Sequence, residues 1–209
     1  MGFLKIAVLI SGRGSNLQAL INSSKKVDAS FKVVQVISNK HDALGLELSK
    51  KAGIQTAVID NLEFKDRKSF DIRITEIIKS SGAELVCLAG FMRILSASFI
   101  DHWLNRLINI HPSRLPDFKG LNVHQRVIES GKKITGCTVH YVRNEIDTGP
   151  IICQDTITVN SNDNAETLAA RVLEKEHLIY PQAIKLIAQG RVTLLGEQVF
   201  IDGKIIYPN

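Results

Sequence analysis

The chain has 209 residues, 44% of them hydrophobic, enough to bury one continuous core without disulfide or metal staples. Its 26 basic and 21 acidic residues leave a net charge of +5, with the basic residues scattered in ones and twos, as at Lys25-Lys26, Lys50-Lys51 and Lys132-Lys133. That scatter argues against a nucleic-acid footprint, which gathers charge on one face, and is compatible with a small anionic substrate. Cys87, Cys137 and Cys153 lack CxxC spacing and nearby ligand pairs, so neither a disulfide framework nor zinc is expected. The first apolar run, Ile6 to Ile10, is far too short to span a membrane, and a cytoplasmic protein is expected.

In chain order, short β-branched or apolar runs predict strands at Lys5 to Ile10, Val33 to Ile37, Thr56 to Ile59, Leu85 to Ala89 and Leu107 to Ile110. Helical stretches lie between them, at Leu17 to Asn22, Leu44 to Ala52, Ser69 to Ser80 and Ser96 to Trp103. This alternation implies an α/β fold, with a parallel sheet covered by helices on both faces. Beyond Thr135, Cys137 to Val142 and Ile151 to Val159 are strand-like with no helix between them, which predicts an antiparallel or mixed extension. A long helix is expected from Ala165 to Ala188, capped by Asn162, Asp163 or Asn164, stopped by Gly190 and bent or divided at Pro181. Thr193 to Tyr207 predicts a hairpin around Asp202-Gly203. No repeat, low-complexity tract or linker interrupts the chain, so one domain over 1–209 is expected.

Ser11-Gly12-Arg13-Gly14-Ser15-Asn16 follows the first strand and opens a helix, where backbone N–H groups and the helix dipole can hold a phosphate. Ser15 or Asn16 would cap that helix. A dinucleotide site would need a third glycine near Leu17 and an acidic residue after the second strand, which instead ends in Ser38-Asn39-Lys40; a P-loop is also absent. The loop fits a monophosphate better than NAD, and a plain tight turn is the alternative.

Asn109 and His111 end the fifth strand on one face, because side chains alternate, and Pro112 closes the ladder. Strand carboxyl ends form the ligand crevice in open α/β sheets. There an amide can stabilise an oxyanion and a histidine can move protons. Asp147 lies in the turn-like Asp147-Thr148-Gly149-Pro150, and a carboxylate beside His111 would orient the imidazole and favour its protonated form. From spacing alone a hydrogen-bonded strand end explains Asn109 and His111 at least as well, and an ordinary turn explains Asp147 better.

Together, SGRGSN, LAGFMRIL at Leu88 to Leu95, NIHPSRLP at Asn109 to Pro116 and GCTVHYVRNEIDTGPI at Gly136 to Ile151 resemble the folate-dependent formyltransferases in order and separation. The resemblance extends to SNK at Ser38 to Lys40 and KEHLIYP at Lys175 to Pro181, and is closest to those members that formylate glycinamide ribonucleotide. It implies a single Rossmann-like formyltransferase domain, about 1–100 serving the nucleotide phosphate and about 101–209 the folate and the catalysis. The implied reaction moves the formyl group of 10-formyltetrahydrofolate, as co-substrate and without a metal, to the amine of N1-(5-phospho-D-ribosyl)glycinamide in de novo purine synthesis. Asn109, His111 and Asp147 would be catalytic. Gly14, Ser15 and Asn16 would hold the substrate phosphate. Arg67, Met92, Arg93, Ile94, Leu95 and Asn109 would bind the folate, and Glu176 would touch the nucleotide. The implied partners are these two small molecules, with no nucleic acid or membrane, for a monomer or homodimer. The chain departs from the family pattern at Arg114 and at Asp117-Phe118-Lys119, where an aliphatic residue and Lys-Tyr-Pro are expected.

A formyltetrahydrofolate hydrolase would use a similar constellation with water as nucleophile, and is expected to carry a regulatory domain ahead of it. A methionyl-tRNA formyltransferase would need a further C-terminal domain and denser basic charge. A non-catalytic folate- or nucleotide-binding module would not require the polar pair and the aspartate together.

Overall fold

The computed structural model describes residues 2–206, which form two compact units divided between Ile108 and Asn109. The first unit alternates β1 (Leu4–Ile10), α1 (Ser15–Ser24), β2 (Phe31–Ser38), α2 (Leu44–Lys51), β3 (Gln55–Val58), α3 (Arg67–Ser80), β4 (Leu85–Leu88) and α4 (Ala97–His102). Its strands are parallel in the order β3-β2-β1-β4. Ile6 to Ile10 are all fully buried, as expected of a strand covered on both faces, which must read as a continuous apolar run rather than an alternating one. Leu17, Leu20, Phe70, Ile74 and Trp103 complete this core from the helices and from the turn after α4.

The division falls inside β5 (Leu107–His111), the fifth strand of the seven-stranded sheet. The second unit continues with α5 (Val123–Glu129), β6 (Ile134–Tyr141), β7 (Ile151–Thr158) and α6 (Ala165–Ala188). A separate antiparallel sheet of β8 (Val192–Leu195), β9 (Gln198–Ile201) and β10 (Lys204–Ile205) follows. β6 and β7 pair antiparallel, which is the predicted change of pattern beyond Thr135. Helix α6 has the predicted bounds. The Asn164 side chain accepts from the N–H groups of Glu166 and Thr167, Thr167 bonds back to the Asn164 N–H, and Gly190 follows its C-terminus.

Some expectations need correction. Pro181 lies inside α6 without dividing it. Helix α5 had no sequence signal, being a short segment whose N-cap, Asn122, makes no side-chain capping bond. The C-terminal part is two successive hairpins, not one. The Asp202-Gly203 turn joins β9 to β10 with both residues at positive φ, as such a turn requires, while Tyr207 lies outside the described residues. Among the described residues no helix is long and apolar enough to cross a membrane.

The pairing of β6 with β7 depends on Gly136, opposite Thr156, because a Cβ there would lie 1.8 Å from the Asp155 carbonyl oxygen. Gly136→Ala is expected to cost more than about 3 kcal/mol, or to prevent folding. Urea unfolding followed by circular dichroism measures it, and a loss under about 1 kcal/mol would show that the strands can separate cheaply there.

Candidate active site

β5 and β6 both end in polar side chains, and these ends form the centre of the site in the second unit. Asn109 Nδ2 lies 3.3 Å from Nε2 of His140, and His140 Nδ1 lies 2.9 Å from the Tyr141 carbonyl oxygen. Burial drives the His140 pKa down to about 4, against the smaller opposing effects of the Tyr141 carbonyl and the Asp147 charge. At neutral pH this ring is therefore uncharged. Since the Tyr141 carbonyl can only accept, the ring proton sits on Nδ1, and Nε2 accepts from the Asn109 amide. Asp147 Oδ1 is 3.7 Å from the same Nε2, and with the ring neutral this contact is no ion pair.

His111 makes two contacts of a different kind. Its Nδ1 is 3.3 Å from Asp147 Oδ2 and its Nε2 is 3.0 Å from the Phe118 carbonyl oxygen. Both neighbours are acceptors, and an imidazolium, which donates from both nitrogens, satisfies both. Asp147 is held in turn by the Gly120 N–H, which donates to Oδ2 at 2.8 Å. The backbone of Asp147 has φ +52, a left-handed turn conformation that aspartate tolerates better than most residues. Nearby, burial first and the neighbouring His111 second push the His124 imidazole below its ordinary range.

The departure from the family pattern at Asp117 to Lys119 has a structural account. Asp117 pairs with Lys132, and its carbonyl accepts from the Ser113 hydroxyl at 2.5 Å. The Lys119 carbonyl accepts from the Arg126 guanidinium at 2.6 Å, and both Arg126 and Lys132 lie over the Phe118 ring. These contacts fix the backbone from which the Phe118 carbonyl reaches His111. Nothing in the structure explains Arg114.

The glycine loop lies in the first unit. Gly14, not Ser15 or Asn16, takes the capping position of α1, at φ +75, and a Cβ there would lie 2.7 Å from the Gly45 Cα of α2. Ser15 and Asn16 are thus the first residues of the helix. They lie at the positive end of the helix dipole, which suits an anion. Met92 to Leu95 form an irregular segment between β4 and α4, tied at both ends by buried side chains. The Met92 N–H donates to Ser11 Oγ at 2.8 Å and the Ser96 N–H to Asp71 Oδ2 at 2.7 Å. Arg93 stacks on the Phe70 ring, and exposed Arg67 opens α3 three residues before Phe70.

Glu176 is only 6% exposed in α6, and its charge is second to burial in pushing the Cys137 thiol up to about 12. The geometry joins His111 to Asp147 directly and brings Asn109 to them by way of His140, a residue that sequence reasoning missed. Its one signal was position, since it ends an apolar strand as Asn109 and His111 do. Ser11 and Asp71 were missed as anchors because their partners are remote in sequence. Among the described residues no group of three or more His, Cys, Asp or Glu could hold a metal ion.

Comparison with known proteins places the chain in a family. Residues 4–184 match the family model of the formyl transferases. The chain is 48% identical over 204 residues to the trifunctional purine biosynthetic protein adenosine-3 of Gallus gallus, covering 98% of itself but only 20% of that relative. It is 42% identical over 205 residues to the phosphoribosylglycinamide formyltransferase of Escherichia coli (strain K12), covering 98% and 97% of the two chains. The structure of the phosphoribosylglycinamide formyltransferase from Coxiella burnetii matches with a TM-score of 0.94 at 42% identity, covering 98% of this chain and 96% of that one. Matched over most of its length by the family model, this chain belongs to the formyl transferase family.

Proposed function

We propose that this enzyme transfers the formyl group of 10-formyltetrahydrofolate to the primary amine of N1-(5-phospho-D-ribosyl)glycinamide, giving the N2-formyl product and tetrahydrofolate. The observation that carries the reading is the buried His111–Asp147 contact, with Asn109 held beside it by a neutral His140, in a formyl transferase similar over nearly its whole length to enzymes of that name.

The amine nitrogen attacks the formyl carbon, and the carbonyl electrons move onto oxygen. Asn109 gives one amide hydrogen to His140 and has a second for that oxyanion. His111 supplies the other donor by exchanging the Phe118 carbonyl for the reacting oxygen, so the imidazole keeps the same number of hydrogen bonds. Asp147 balances the imidazolium while this happens. The oxyanion electrons then re-form the carbonyl, the bond from the formyl carbon to the folate nitrogen breaks with its electrons going to that nitrogen, and the proton lost by the attacking nitrogen reaches it directly or through a water held by Asp147. These proton movements complete the reaction without a covalent enzyme intermediate.

The substrate phosphate is assigned to Gly14, Ser15 and Asn16 at the start of α1, and the folate to Arg67 and to Met92, Arg93, Ile94 and Leu95. Of these, Met92 contributes by shape and side chain, since Ser11 already takes its N–H. Glu176 is assigned to the nucleotide through the family resemblance.

Tetrahydrofolate release from 10-formyltetrahydrofolate is expected to require glycinamide ribonucleotide, with the formylated nucleotide identified by mass. Release indifferent to the nucleotide would instead indicate hydrolysis. Asn109→Ala and His111→Ala are each expected to lower kcat by about 100-fold or more, with substrate affinities retained within a few-fold; equal loss of both would indicate a binding role. His140 adds a pH signature. Its unfolded imidazole titrates near its ordinary value of 6.5 and the folded one near 4, so the stability it contributes is complete above 6.5 and is lost as pH falls toward 4. The Tm of His140→Gln should therefore fall less across that window than that of the unsubstituted protein, and equal slopes would show that the ring is not held neutral.

A further inference from the structure

One buried hydroxyl joins the two segments assigned above to different substrates. Ser11 directly follows β1 and begins the glycine loop, and it is 7% exposed. Its Oγ lies 2.6 Å from Asn39 Oδ1, which can only accept, so the single hydroxyl hydrogen points to Asn39. A lone pair then receives the Met92 N–H at 2.8 Å. The serine at the root of the phosphate loop therefore also holds the first residue of the folate segment. The far end of that segment has its own anchor, because Ser96 donates to Asp71, a carboxylate only 3% exposed that is part of α3 and not of the glycine loop.

We propose that Ser11 is a positioning residue that makes the phosphate loop and the folate segment respond to each other, so that each substrate strengthens binding of the other, whereas Asp71 fixes the folate segment alone. The inference rests on the substrate assignments above. A phosphate that orders the loop fixes the Ser11 hydroxyl, and the Met92 N–H is fixed with it. The second ligand then meets a segment whose ordering has already been accomplished. Coupling of this kind is reciprocal, so one factor describes both ligands. Without the hydroxyl the Met92 N–H loses its acceptor, and the segment loses its tie to the loop.

The test titrates tetrahydrofolate, which has no formyl group to give, onto the protein by calorimetry with and without saturating glycinamide ribonucleotide. In the unsubstituted protein the nucleotide should tighten tetrahydrofolate binding by about 5-fold or more. Ser11→Ala should bring that ratio close to one, while Ser11→Thr, which keeps the hydroxyl, should preserve it. Asp71→Ala, which removes the acceptor of the Ser96 N–H, should weaken tetrahydrofolate binding yet leave the ratio intact, which separates coupling from mere loss of order. If Ser11→Ala does not fold, as judged by thermal unfolding, Asn39→Ala provides the same readout, because it removes the acceptor that orients the hydroxyl, and should lower the ratio. An unchanged ratio in the folded variant, or a ratio of one in the unsubstituted protein, overturns the proposal. If neither ligand binds the unsubstituted protein, the substrate assignments fail and the inference falls with them.

Discussion

The Asp147 carboxylate is 11% exposed, and a charge so far from water must be surrounded by donors. One oxygen receives the Gly120 N–H and faces Nδ1 of His111, while the other lies 3.7 Å from Nε2 of His140, which donates nothing from its neutral ring. Meeting this requirement draws together the end of β5, the turn that carries Asp147 and the segment ending at Gly120. That segment also supplies the Phe118 carbonyl to the other side of the His111 ring. Removing the carboxylate would therefore leave both the Gly120 N–H and the His111 Nδ1 without this partner, and it is the constraint from which the rest of this cluster's geometry follows.

Two histidines stand beside this carboxylate and serve opposite purposes. His140 is enclosed, and its Nδ1 proton is committed to a backbone carbonyl, so desolvation keeps it neutral and leaves an acceptor for Asn109. His111 is flanked only by acceptors and is suited to donate from both nitrogens. The same side chain is an acceptor in one place and a donor in the other, as a result of what each ring faces. An amide whose orientation would otherwise be arbitrary is thereby fixed with its nitrogen toward the histidine.

Much of the fold was legible because its signals are local. The bounds of α6 follow from Asn164 and Gly190, and the strands of the first unit from apolar runs that are buried on both faces. Helix α5 was not legible, because it is short and Asn122 makes no side-chain cap; of the bend or division expected at Pro181, the division does not occur and one helix runs through it. In the site, strand alternation placed Asn109 and His111 together, but the contact with Asp147 came only from family resemblance. His140 lies between Val139 and Tyr141 and read as part of an apolar strand. The bond from Met92 to Ser11 spans 81 positions, and no local pattern encodes such a contact.

The three cysteines are all buried, and burial lifts the thiols of Cys137 and Cys153 to about 12 and about 11. The nucleophile and the first target of oxidants is the thiolate, and at these values almost none exists near neutral pH. Cys137 lies on β6 only three residues before His140, yet it is chemically silent there and works as a small apolar side chain. Shifts in thiol redox balance and thiol-directed reagents thus have little purchase on Cys137 and Cys153, although one of them stands close to the histidine pair.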